Sequence, residues 1–251
     1  MGTVAEIWRH PIKSHGREKI ESVDLTAGMT MPWDRKYAVT HAQTKFSAAS
    51  PDWVSCRNFM IGTMTPALAG IWSQVDEAAN TITLRHADAP EFTFDPDAPT
   101  DVARFLSWVS DIIPADRQTP TALVSAPDRG MTDTPEPTMS IANLASHATV
   151  EGHLGHPLER ERWRANIWLD GLDAWAEDDW IGKTIRIGSA TFAVIDMAER
   201  CKHTTANPVT GARDVDTLAA LRNGWGHQNF SAYATVLTDG RITVGDTCEV
   251  L

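Results

Sequence analysis

Cys201 stands in Arg200-Cys201-Lys202-His203-Thr204-Thr205, closely followed by Asn207-Pro208-Val209-Thr210-Gly211. Only a thiolate is a strong nucleophile or metal ligand, and flanking cations favour that charged form. The stretch therefore reads as a loop that presents sulfur to a metal or an electrophile. Charge pattern alone leaves a second reading open, because a free cysteine is more often a small buried hydrophobe. Cys56 and Cys248 are read that way: Cys248 lies in the last predicted strand, and Cys56 follows Trp53-Val54 with no paired ligand. Three cysteines without a CxxC spacing support no disulfide framework, zinc ribbon or iron–sulfur cluster.

Other polar side chains gather on turns: Pro11-Ile12-Lys13-Ser14, Asp34-Arg35 and Arg162-Trp163-Arg164-Ala165-Asn166. Each is weak by itself, since a single Lys or Arg is ordinarily a solvated cation and an Asn ordinarily satisfies nearby backbone. His153-x-x-His156 encloses Gly155 and ends at Pro157, with no third ligand at zinc spacing, so it reads as a helix terminus. Neither G-x-x-x-x-G-K-[ST] nor G-x-G-x-x-G occurs. Of ten tryptophans, Trp33, Trp163 and Trp225 lie beside basic or Gly-rich segments and are candidates for a pocket wall.

The elements that must position these groups are mostly strands. Residues 3–9, Ile20 to Leu25, Lys36 to Thr40 and Thr81 to Leu84 read as strands of a curled sheet. Val102, Phe105, Leu106, Val109 and Ile113 share one helical face, with Thr100 or Asp101 placed as cap. A Pro-, Thr- and Asp-rich stretch from Pro114 to Pro137 follows, interrupted by a strand-like Ala122-Leu123-Val124. Ser140 is expected to cap a second helix through Ile141, Leu144, Ala145 and Ala148. Thr184 to Ile195 reads as a hairpin across Gly188-Ser189, and Tyr233 to Val244 as another across Asp239-Gly240. A short helix from Val215 to Arg222, stopped by Asn223-Gly224, lies between them.

A chain of 251 residues can bury a core without covalent staples. Its formal net charge of −11 argues against a nucleic-acid or anionic-membrane surface, which needs clustered Lys and Arg. The first residues lack a basic and apolar leader, and no stretch approaches 18 uninterrupted apolar residues, so a reducing cytoplasm is expected.

Taken in order, the turn motifs resemble the MOSC superfamily, named for the C-terminal domain of molybdenum cofactor sulfurase, preceded by its usual N-terminal β-barrel partner. Pro11-Ile12-Lys13-Ser14 and Gly28 to Asp34-Arg35 match the family's Pro-Val-Lys-Ser turn and Gly-x-x-x-x-Asp-Arg segment. Arg162 to Ile167, Glu177-Asp178-Asp179-Trp180, Arg200 to Thr204, Phe230 to Tyr233 and Gly240 to Asp246 match the motifs of its C-terminal part. Departures are Ala165 for a common Pro, Ser231 for Gly, and Glu199 for a small residue. The resemblance implies a mainly β protein, barrel-rich with a few short α-helices. It divides into an N-terminal MOSC-associated β-barrel domain over 1–116 and a MOSC domain over 117–251.

It further implies the molybdenum cofactor, Mo-molybdopterin, with Cys201 as catalytic residue and protein ligand to the metal. Thiolate is a soft donor suited to a metal already held by dithiolene sulfurs. Lys13, Arg35 and Arg164 would face the pterin's phosphate, Arg as a planar fork and Lys as a point charge. Ser14, Ser140, Asn166 and Tyr233 would hydrogen-bond it, with Arg200 beside the sulfur. The leading activity is an oxidoreductase of the amidoxime-reducing type, acting by oxygen-atom transfer on a small-molecule substrate that is N-hydroxylated or N-oxygenated. A separate electron donor is expected: a ferredoxin, cytochrome or flavoprotein reductase. The alternatives are a molybdenum cofactor carrier and a sulfur carrier using a Cys201 persulfide.

Overall fold

The computed structural model describes every residue of the chain except Asp128. In order, the elements are β1 (Gly2–Arg9), β2 (Glu18–Ile20), β3 (Ser22–Leu25), β4 (Tyr37–His41), β5 (Trp72–Asp76), β6 (Thr81–His86), β7 (Ala89–Phe94), α1 (Pro99–Ile112) and β8 (Pro120–Ser125). They continue with β9 (Met139–Asn143), α2 (Leu144–Leu154), β10 (Ile167–Asp170), β11 (Thr184–Ile187), β12 (Ala190–Glu199), α3 (Thr217–Trp225), β13 (Asn229–Thr238), β14 (Gly240–Thr243) and β15 (Thr247–Val250).

The protein is mainly β, in two parts. In the larger part, strands in the order β10-β9-β13-β12-β11-β15-β1 form one sheet, and β1 also pairs with β10, which closes a seven-stranded barrel. Closure leaves no long unpaired edge. The β9–β10 pair is parallel and its neighbours are antiparallel. Period-two alternation fills the interior: Ile185 and Ile187, Phe192 and Val194, and Ala232, Ala234 and Val236 all point inward and are buried. Val4 and Ile7 of β1 and Val23 and Leu25 of β3 belong to this same core. The start of the chain is thus built into the barrel formed by its end.

The helices α2 and α3 lie against the outside, where Val150, Leu158 and Leu221 pack on Trp8, Trp168, Trp163 and Phe230. Trp163 and Phe230 stack with ring centroids 4.1 Å apart. In the smaller part, the β5-β6-β7 meander and the β4–β8 ladder surround α1, and Phe94 stacks on Phe105 of α1 at 4.6 Å.

Several local expectations change once tertiary pairing is present. Ser140 is not a helix cap but the second residue of β9, because Met139 to Asn143 are needed as barrel wall between β10 and β13. The helix starts at Leu144, and the Asn143 side chain caps it by accepting from the Ala145 amide at 2.9 Å. The second hairpin is also replaced, since β14 pairs with β3 rather than folding back on β13. The turn at Gly240 runs so close to Ala190 that a Cβ would stand 2.5 Å from its amide nitrogen. Helix α1 begins with Pro99 in its first turn and no side-chain cap, while Asp101 accepts from the Asp95 amide instead. Helix α3 continues through Asn223-Gly224 and ends at Gly226, which takes the left-handed conformation at φ 79°. Among the described residues, no helix is long and apolar enough to cross a membrane.

Candidate functional site

The segments that follow β1 and β12, the turns before β4 and β10, and the walls of β9 and β13 together line a cavity of about 220 Å³. Lys13 and Ser14 reach it from the turn after β1, and Arg35 from the turn before β4. Ser140 of β9 and Tyr233 of β13 contribute from the barrel wall, Arg164 from the turn before β10, and Arg200 and Cys201 from the segment after β12. Trp163 also lines it, whereas Trp33 packs on Tyr37 and Trp225 on Trp175.

Three of these wall residues hold a backbone conformation that L-residues seldom adopt: Ser14 at φ 63°, Arg35 at 51° and Arg164 at 48°. Such a conformation costs each about 1–2 kcal/mol. It turns their side chains into the cavity against local preference, as at many binding sites.

The charges are unevenly paired. Lys13 donates to the Met131 carbonyl at 2.8 Å and to the Asp133 carboxylate. Desolvation at the wall opposes ionisation of Asp133, yet Lys13 prevails and holds its carboxyl down to about 2. Arg35 bonds the Asp34 carboxylate and the Arg164 carbonyl, the latter at 3.0 Å. Buried Asp34 also accepts from the His10 amide at 2.8 Å, and the cations around it outweigh burial, so its carboxyl stays well below the ordinary range. His10 is buried among guanidinium groups and pushed far below its usual value, hence neutral at pH 7.

Arg164 and Arg200 differ. Among the described residues, neither has a carboxylate partner. Arg164 donates to the Gly16 carbonyl at 3.1 Å, and its buried Nη2 has no partner at all. Burial, then the like charges of Arg35 and Arg17, lower it to about 9. Arg200 is held by carbonyls, Phe230 at 2.8 Å and Trp163 at 2.7 Å, and by the Ser231 hydroxyl. Two desolvated cations bonded only to carbonyls and a hydroxyl, with Asp34 and Asp133 acting on Arg164 from a distance, make a wall that favours an anion.

Cys201 is exposed at this cavity. Thr63 donates its hydroxyl to the Cys201 sulfur at 3.1 Å, and Arg213 donates to the Thr63 carbonyl at 2.7 Å while also bonding the Lys202 carbonyl. Gly62 lies so close to His203 that a Cβ would fall 1.9 Å from its Nδ1. The β4–β5 connection is therefore fastened directly onto the Cys201 loop.

Residues 1–118 match the MOSC N-terminal beta barrel domain, and residues 128–249 match the MOSC domain. The chain belongs to the MOSC-domain family. Molybdenum cofactor sulfurase of Caenorhabditis briggsae is 37% identical over 62 residues, 25% of this chain and 8% of that protein, and the Caenorhabditis elegans protein gives the same figures. The match thus spans a small fraction of those relatives' length. Among solved structures, the YUAD protein from Bacillus subtilis is 13% identical with a TM-score of 0.48, covering 99% of this chain and 94% of that one. YiiM from Geobacillus stearothermophilus is 20% identical with a TM-score of 0.35, covering 45% and 53%.

Within this MOSC protein, Asn166 stands apart from the other expected residues. It sits behind the cavity wall, where its Oδ1 accepts from the Ser140 amide at 3.1 Å and from Arg35 at 3.4 Å, and its Nδ2 donates to the Trp8 carbonyl at 3.2 Å. Its place is to set Arg35 and β9, with access only to a small recess it shares with Arg35, Ser140 and Tyr233. Sequence reading missed Thr63, Gly62, His203, Asp133 and Cys56, all of which line the cavity. His203 lies within the recognised Arg200 to Thr204 loop and was within reach. Thr63 and Cys56 come from the long β4–β5 connection, whose sequence carries no mark of a site.

Proposed function

We propose that this protein binds the molybdenum cofactor in this cavity with the Cys201 sulfur as metal ligand, and reduces N-hydroxylated or N-oxygenated small molecules. The observation that carries this reading is the pairing of an accessible thiol with two cations lacking carboxylate partners in one cavity. A metal that takes a soft sulfur donor and an anionic phosphate are what such a set of groups accommodates. Arg164 offers its unpartnered Nη2 to the phosphate, and Ser14, Ser140 and Tyr233 offer neutral hydrogen bonds along the wall. Arg35, oriented by Asp34 and Asn166, supports the same end. When bound, the cofactor supplies two-electron oxygen-atom-transfer chemistry, with electrons from a separate ferredoxin, cytochrome or flavoprotein reductase. The protein's part is to hold the cofactor and present Cys201, with the Thr63 segment fastened beside the sulfur.

The test is metal and pterin content after anaerobic purification from a host that makes the cofactor, comparing wild type with Cys201→Ser. Near-stoichiometric cofactor in the wild type and its loss in the variant are expected; equal content in both would refute Cys201 as ligand. A second reading, sulfur carriage on Cys201, draws on one specific observation: Cys56 places another thiol on the wall of the same cavity. The shared segment with proteins named molybdenum cofactor sulfurase points the same way.

A further inference from the structure

Cys56 opens a single helical turn, Cys56–Asn58, in the connection between β4 and β5, half-buried on the wall that also carries Cys201. The connection is not free to drift: Thr63 bonds the Cys201 sulfur, Arg213 ties Thr63 to the Lys202 carbonyl, and Gly62 packs on His203. Cys248, by contrast, is buried in β15 within the barrel core. The fold therefore brings two of its three thiols to one small cationic cavity and keeps the third away.

We propose that Cys56 is a resolving thiol for sulfur carried on Cys201, an inference that rests on the sulfur-carriage reading. When Cys201 bears a sulfane sulfur, the Cys56 thiolate attacks Cys201 Sγ. The bond from Sγ to the terminal sulfur breaks, and a Cys56–Cys201 disulfide forms. The terminal sulfur leaves as hydrosulfide and takes up the proton that Cys56 gave up. Two thiols are oxidised by two electrons in all, the sulfane sulfur is reduced by two, and a dithiol reductant returns the protein to its starting state. Lys13, Arg164 and Arg200 on the same wall favour departure of an anionic sulfur.

The test loads the reduced full chain with inorganic polysulfide, removes the excess, and follows sulfide release together with peptide mass spectrometry. Wild type should release about one sulfide per chain and yield a Cys56–Cys201 linked peptide. Because that bond requires Cα atoms within about 7 Å, its formation also reports the approach of the two loops. Cys56→Ser and Cys56→Ala should keep the persulfide on Cys201 and release sulfide at least roughly tenfold more slowly, with unchanged thermal midpoints. Cys248→Ser should behave as wild type. A Cys201 persulfide that persists in wild type as long as in Cys56→Ser overturns the resolving role and leaves sulfur carriage standing. No persulfide on Cys201 in any variant overturns both.

Discussion

Replacing Arg164 by Gln should make the cofactor-free protein more stable while weakening its hold on anions. Arg164 is drawn down to about 9 by burial and by the repulsion of Arg35 and Arg17. At about 1.4 kcal/mol per tenfold change in proton affinity, keeping the charge in the fold costs about 5 kcal/mol. Solvent screening at the cavity wall and the lost bond to the Gly16 carbonyl reduce the expected gain to about 2–3 kcal/mol. For a chain of this size that is a rise in Tm of roughly 4–12 °C. The assay is calorimetry at pH 7 in a buffer without phosphate or sulfate. Inorganic phosphate at a hundredfold excess over its Kd should stabilise wild type by about 2.7 kcal/mol and the variant far less. An Arg164→Gln protein that melts below wild type in anion-free buffer, or gains equally from phosphate, would refute the claim that Arg164 is kept charged for an anion.

Two other substitutions probe what holds the site. Gly62→Ala forces a methyl into His203 and should cost about 1–3 kcal/mol by chemical denaturation. Pairing it with His203→Ala should recover most of that loss, and simple additivity in the double mutant would count against direct contact. Asp34→Asn strips the carboxylate from buried Arg35 and should cost about 3–5 kcal/mol at pH 7. Since Asp34 is held below the ordinary carboxylate range, its contribution is present above about pH 4 and lost as the pH falls further. The variant should therefore show a shallower acid limb in a stability–pH profile, and an unchanged limb would sink the assignment.

How far the site could be read from sequence depended on whether a residue's task is local. Lys13, Ser14, Arg35 and Arg164 were marked by the resemblance of their short turn motifs to those of the family, and all four line the cavity, three of them at positive φ. Position 231 makes the same point from the other side. The family commonly has Gly there, and in this chain Ser231 sits at φ 72°, where glycine is at ease. Ser231 offsets that strain with side-chain bonds to Arg200 and to Ser140, the latter at 3.1 Å. Ser140 lines the cavity from a strand and not from the expected helix start, since only the pairing of β9 with both neighbours outweighs the helical pattern after it. Nothing in residues 56–63 resembles a motif, yet Cys56 and Thr63 line the cavity and Thr63 bonds the sulfur, its carbonyl held by Arg213, some 150 positions away. A long-range bond of that kind leaves no periodicity to detect. The same contacts hold the Thr63 segment and the Cys201 loop to each other through Arg213, which bonds both.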